Sequence, residues 1–222
     1  MFSHRAIIER IWQQRRGLAH SKSAGLYARG ISSGRTTRRE QARFLQRTDL
    51  CDGGDSPNHS RIATNLLTEL SVALRGRDCE AFNSDLKIGI ATGGISKSRT
   101  KKQTTEDFIT YPDCSIVCGK LEYYKGDRFT VANPTVLFEV LSPSTRNYDR
   151  SFKLEQYQKI PSLKAYVMLD SEQVRLEYYS KVGEGEWVQR ILLESEDALT
   201  LQELSLSLPL HALYARVEFE GE

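Results

Sequence analysis

This 222-residue chain lacks any apolar run approaching the roughly 18 residues that a membrane-spanning helix needs. Its first residues also lack the apolar core of a secretory signal, so export is not expected and a cytoplasmic location is. Cysteine is scarce: Cys51, Cys79, Cys114 and Cys118 show no zinc-like spacing, which would need close pairs together with further Cys or His. They are expected to be buried, reduced thiols of a cytosolic protein. Acid is what residues 1–50 lack. Ten Arg and one Lys face only Glu9, Glu40 and Asp49, a balance of +8, so the remainder carries −6 of the total +2. A basic head on an acidic body suggests an anionic partner, or a head that does not belong to the fold.

Within residues 1–52 no strand or helix period lasts beyond two turns. The short pattern Ile7, Ile8, Ile11, Trp12 gives way to Gly-, Ser- and Arg-rich sequence. This head reads as disordered or as foreign to the fold; a DNA-binding arm or a transit peptide is the alternative for so basic a composition. Residues 53–222 read as one domain. Ser56-Pro57 starts a helix, with Ser as N-cap and Pro at the first helical position. Ile62, Leu66, Leu70 and Ala73 follow at helical spacing, and Gly76 suits the C-terminal cap.

A strand is expected over Cys79–Ile90, with Phe82, Leu86, Ile88 and Ile90 on one face and Asn83, Asp85 and Lys87 on the other. Residues 93–107 read as a polar loop containing Lys97, Arg99, Lys101 and Lys102. Further strands are expected over 112–117, 134–141 and 166–169, with a helix over 149–159 ended by Pro161. The order from Pro57 to Asp170 is then helix, three strands, helix, strand: an α/β (α+β) architecture. Two antiparallel strands, 173–180 and 186–193, add a hairpin turned by Gly183-Glu184-Gly185, and a short helix follows Pro209.

One carboxylate stands out. Glu139 interrupts the run Thr135-Val136-Leu137-Phe138-Glu139-Val140-Leu141, which reads as a strand buried on both faces. An isolated ionised carboxylate there is costly, so a metal ion, a lysine or both should meet it. Asp113 opens the preceding expected strand and Lys153 lies in the following helix. If the two strands are neighbours, Asp113 and Glu139 converge on one cleft. Two carboxylates suit a hard divalent cation such as Mg²⁺ or Mn²⁺, which lowers the pKa of a bound water and offsets charge on a phosphate. The plainer alternatives are that Asp113 ends a loop and that Lys153 forms a surface helix pair with Asp149, four residues earlier.

On these residues the segment from Ser56 to Phe219 resembles the bacterial restriction-endonuclease-like proteins of the PD-(D/E)XK nuclease superfamily. The matching stretches are SPNHSRIATNLLTEL, SDLKI, TYPDCSIVCG, NPTVLFEVLSPSTRNYDRSFKLEQYQKIPSL and AYVMLD. The resemblance implies a restriction-endonuclease-like core with a mixed central sheet flanked by helices. It implies that Asp113 and Glu139 are the paired acids and that Asp85, in SDLKI, is a third metal ligand. The superfamily's lysine would fall two residues after Glu139, where this chain has Leu141; the resemblance assigns that role to Lys153 of the next helix. Relatives begin with a helix and an acidic, aromatic hairpin that residues 1–51 do not show. A misread start or a shifted frame would account for this, and the upstream DNA would test it.

The expected function is therefore a Mg²⁺- or Mn²⁺-dependent endonuclease that hydrolyses phosphodiester bonds in DNA, with Asp113, Glu139 and Lys153 as catalytic residues. The alternative is a catalytically inactive protein of the same fold that binds nucleic acid or a protein partner. A homodimer is open to an enzyme cutting both strands, because two-fold symmetry would match protein to site.

Overall fold

The computed structural model describes residues 56–95 and 105–219. The basic head expected over 1–52, and the lysine-rich loop from Lys97 to Lys102, lie outside the described residues. Helix α1 (Pro57–Ala73) begins as its sequence dictates: Ser56 is extended, and its hydroxyl accepts from the His59 N–H at 3.2 Å. Such a cap satisfies one of the orphan donors of the first turn and contributes about 1 kcal/mol. Ile62, Leu66 and Leu70 are fully buried, and Gly76 takes a positive φ of 76° just past the helix end.

The main sheet has six strands in the order β1 (Cys79–Asn83), β4 (Cys114–Cys118), β6 (Val136–Leu141), β7 (Ala165–Asp170), β8 (Leu176–Gly183) and β9 (Glu186–Leu192). Only β6 and β7 run parallel; the other neighbours are antiparallel, so the sheet is mixed. The connection from β6 to β7 carries the helical stretch α2 (residues 146–157), as a parallel pair requires. The hairpin β8–β9, expected from its glycine turn, extends this sheet.

The expected single strand over Cys79–Ile90 is instead two strands in two sheets. The chain turns at Asn83-Ser84-Asp85, where Asn83 Oδ1 accepts from the Asp85 N–H at 3.1 Å and the Leu86 N–H donates to the Asn83 carbonyl at 3.3 Å. This is the local side-chain bonding that makes Asn a turn former. After the turn, β2 (Lys87–Ile95) pairs with β3 (Thr105–Thr110) and with β5 (Thr130–Val131) in a separate three-stranded sheet. Parts of the expected 93–107 loop are therefore strand. The helix–three strands–helix–strand core survives as α1, β1, β4, β6, α2 and β7, with the small sheet inserted. A second small hairpin, β10 (Ala198–Leu201) with β11 (Leu206–Pro209), leads into the one-turn helix α3 (Leu210–Leu213).

The sheet separates two cores. Val136, Phe138 and Val140 of β6 pack with Ile62, Leu66 and Leu70 of α1 and with Leu199 and Leu208 of the β10–β11 hairpin. Leu137 and Leu141 face the opposite side, with Tyr157, Ile160, Leu163, Tyr166 and Met168. By strand alternation Glu139 points into this second core.

The cysteine expectation needs correcting. The β1–β4 register sets Cys79 directly opposite Cys118, and the two form a disulfide; Cys114 is the free, buried thiol among the described residues. Cross-strand opposition of residues so far apart in sequence is created by the fold. Spacing alone cannot reveal it.

Candidate active site

All six residues of β6 are buried, and Glu139 is only 4% exposed. The charge in this strand is met from α2. Lys153 Nζ lies 2.9 Å from Glu139 Oε1, and the Tyr157 hydroxyl donates to the same oxygen at 2.6 Å. Lys153 Nζ also lies 3.0 Å from Asp149 Oδ1. The Lys153–Asp149 pair is thus not the surface pair its i,i+4 spacing allows, since Asp149 is 2% exposed. Leu141, on the face of Glu139, is buried among apolar neighbours, and the cation comes from the helix.

The middle of α2 is a π-helical turn, Asp149–Lys153, in which the Leu154 N–H donates to the Asp149 carbonyl. The extra residue in this turn changes which α2 side chains share a face, and such turns recur at functional sites. The stretch is held down from β7 by Tyr166, whose hydroxyl donates to the Asp149 carbonyl at 3.3 Å. Thr110 Oγ1 lies 3.4 Å from Tyr157 Oη. With the phenol proton engaged by Glu139, Thr110 is left to donate.

Asp113 stands beside this group. The β4–β6 register pairs Cys114 with Phe138, and one step further it sets Asp113 against Glu139. Asp113 Oδ2 accepts from the Val140 N–H at 2.7 Å and lies 3.4 Å from His59 Nε2 of α1. His59 reaches that oxygen because it occupies the first turn of α1, on the helix's buried side.

Asp85 is placed elsewhere than expected. It is exposed in the β1–β2 turn, not on a strand face, and its Oδ2 accepts from Asn83 Nδ2 at 3.2 Å. The turn follows the end of β1 that pairs with Cys114, so it lies at the same end of the sheet as Asp113.

Electrostatics follow from this packing. Burial is the largest influence on Glu139 and pushes its pKa from 4.5 to about 7; Lys153 and the Tyr157 hydrogen bond oppose that rise, while Asp113 and Asp149 add to it. Burial opposes the charge on Lys153, but the two carboxylates outweigh it and hold its pKa above the ordinary lysine value. The Cys114 thiol is pushed up to about 12, first by burial and then by Asp113 and Glu139, so it is no nucleophile near neutral pH.

Among the described residues no group of three or more His, Cys, Asp or Glu is arranged to hold a metal ion. Asp113 and Glu139 do fit a hard cation in donor type. In the contacts above each engages only one oxygen, Oδ2 and Oε1, which leaves Oδ1 and Oε2 outside them. Magnesium is commonly held by one or two carboxylates, with water and substrate phosphate completing its shell. Sequence reasoning singled out Asp113, Glu139 and Lys153 but assigned no site role to His59, Asp149 or Tyr157. For Tyr157 the available signal was its position four residues after Lys153, one helical turn further along the same stretch.

A mixed sheet with an acid buried in its central strand, paired to a lysine from the crossover helix, defines a restriction-endonuclease-like fold. Residues 50–211 match the Uma2 family, described as "Putative restriction endonuclease", and the chain belongs to that family. It is 33% identical over 181 residues to an uncharacterized protein of Synechocystis sp. (strain PCC 6803), covering 82% of this chain and 87% of the relative. A second uncharacterized protein of that organism is 30% identical over 149 residues, covering 67% and 77%. The fold is similar to a crystal structure described as a putative nuclease belonging to DUF820 from Anabaena variabilis. Its TM-score is 0.54 at 15% identity, over 74% of this chain and 84% of that one. Among the described residues no helix is long and apolar enough to cross a membrane.

Proposed function

We propose that this protein is a Mg²⁺- or Mn²⁺-dependent endonuclease that hydrolyses phosphodiester bonds in DNA, with Asp113 and Glu139 holding the cation and Lys153 assisting. The observation that carries the reading is Glu139: an acid kept inside an apolar strand, with Lys153 brought to 2.9 Å from another element. Burial together with a specific charge partner, both acting on one acid, is the arrangement by which functional sites tune a carboxylate. The family description and the nuclease-like neighbour support the nuclease part of this reading.

When bound, such an ion supplies an activated water and offsets charge growing on the phosphate. The chain's own residues prepare the site. Val140 N–H and His59 fix Asp113, while Tyr157 fixes Glu139. Lys153 opposes the rise that burial imposes on Glu139 and so keeps that carboxylate available to the cation. Asp85, expected as a third ligand, bonds Asn83 in the β1–β2 turn at the same end of the sheet as Asp113.

The test is relaxation of supercoiled plasmid with Mg²⁺, with Mn²⁺ and with EDTA. Wild type should nick only with metal, and Asp113→Ala should abolish nicking while the protein still melts cooperatively. The second reading is a nuclease fold that binds nucleic acid or a protein partner without cutting. It predicts a mobility shift of DNA without metal-dependent cleavage.

A further inference from the structure

Beside the Glu139–Lys153 pair lies an aromatic surface that the proposed chemistry leaves unused. Tyr148 and Phe152 are four residues apart on α2, with ring centroids 5.3 Å apart and planes 24° from parallel. Both are exposed, at 37% and 42%. Phe152 is braced from the small sheet by Phe108, edge to face at 5.3 Å and 89°. Lys153 Nζ lies 5.9 Å from the centre of the Tyr148 ring and 2.9 Å from Glu139 Oε1. One ammonium group therefore separates the exposed rings from the buried acid. Val72, Phe129 and Val182 are also exposed, elsewhere in the chain. Tyr148 and Phe152 form a stacked pair at the edge of the candidate site.

We propose that Tyr148 and Phe152 form a stacking ledge for an unpaired nucleobase, so that the substrate is single-stranded or locally opened DNA. Its assignment as a substrate-binding surface rests on the nuclease reading above. Every base presents a π-face, so a paired aromatic ledge holds a nucleotide without reading its sequence. In a duplex both faces of a base are already stacked on neighbours, and the ledge can engage only a base freed from that stack. A base resting there would place its nucleotide beside Lys153, 5.9 Å from the centre of the Tyr148 ring, at the edge of the site that holds Glu139 and Asp113.

The experiment measures fluorescence anisotropy of a labelled single-stranded oligodeoxynucleotide, and of the same strand annealed to its complement. Both are titrated with the full chain in EDTA, so that binding is read without cleavage. Wild type should bind the single strand more tightly than the duplex. Phe152→Ala and Tyr148→Ala should each weaken single-strand binding by about tenfold, the scale of one lost base–aromatic stack. Tyr148→Phe, which keeps the ring, should bind as wild type does, and thermal melting of each variant controls for folding.

Equal single-strand binding by wild type and both alanine variants would overturn the ledge. So would duplex binding as tight as single-strand binding in the wild type. The two readings fail separately. If wild type nicks plasmid with metal and Phe152→Ala binds single strands normally, the nuclease stands and the ledge falls. If the ring-dependent preference appears without cleavage, the ledge stands as a binding surface and the nuclease falls.

Discussion

Lys153 Nζ stands 2.9 Å from Glu139 Oε1 and 3.0 Å from Asp149 Oδ1, so a single cation serves two buried carboxylates. With both acids ionised the trio carries one uncompensated negative charge in a nearly dry place. Burial raises Glu139 to about 7; Lys153 opposes that rise, and Asp113 and Asp149 add to it.

The first prediction concerns pH in metal-free protein. A folded-state pKa of about 7 against an ordinary 4.5 means that the folded protein binds the Glu139 proton more tightly than the unfolded chain does. The stabilisation from this group is fully present below 4.5 and is lost as pH rises through about 7. Urea midpoints measured across this window should fall with pH more steeply for wild type than for Glu139→Gln. Identical slopes in the two proteins would contradict this assignment.

Removing the cation is the second perturbation. Lys153→Met strands two carboxylates and should cost about 3–5 kcal/mol in urea unfolding. Neutralising the acid as well, in Lys153→Met with Glu139→Gln, should recover part of that loss. A double variant less stable than Lys153→Met alone would show that the pair is not coupled.

Tyr157→Phe should be milder. It deletes a hydrogen bond to a buried acid, and the Thr110 hydroxyl loses its acceptor, for a cost of about 1–3 kcal/mol. Because that bond favours ionised Glu139, its loss should move the pH-dependent fall in stability to higher pH. A fall at unchanged or lower pH would remove Tyr157 from the electrostatics of the site.

The Cys79–Cys118 disulfide closes a sequence separation of 39 and ties edge strand β1 to β4. Its reduction, or Cys79→Ser, should cost about 2–4 kcal/mol. Under non-reducing denaturing conditions neither Cys79 nor Cys118 should be alkylated, whereas Cys114 should be. Peptide mapping checks this directly.

The parts of the fold that were legible in the sequence were those set by local pattern. The Ser56-Pro57 start and the Ile62, Leu66, Leu70 stripe define α1, and the apolar run around Glu139 defines β6. The break between β1 and β2 was not legible from periodicity. Phe82, Leu86, Ile88 and Ile90 keep an alternating rhythm straight through the turn, whose only signal is the Asn83-Ser84-Asp85 composition. The three-stranded sheet rests on long-range pairing, including a two-residue parallel contact between β2 and β5, which leaves no periodic trace.

In the site, the nearness of Glu139 and Lys153 could be anticipated because a buried charge demands a partner. His59 could not. Its approach to Asp113 depends on how α1 packs on the face of the sheet. Asp149 was concealed by its helix spacing to Lys153, which looks the same whether the pair faces solvent or the core.

Glu139→Gln tests the central claim most directly, because it keeps the shape of the side chain and removes only its capacity to carry charge. Measured beside wild type in a Mg²⁺ or Mn²⁺ plasmid-nicking assay, with cooperative melting confirmed for both, the variant should show no nicking above the EDTA control. Nicking by Glu139→Gln at the wild-type rate would contradict the account.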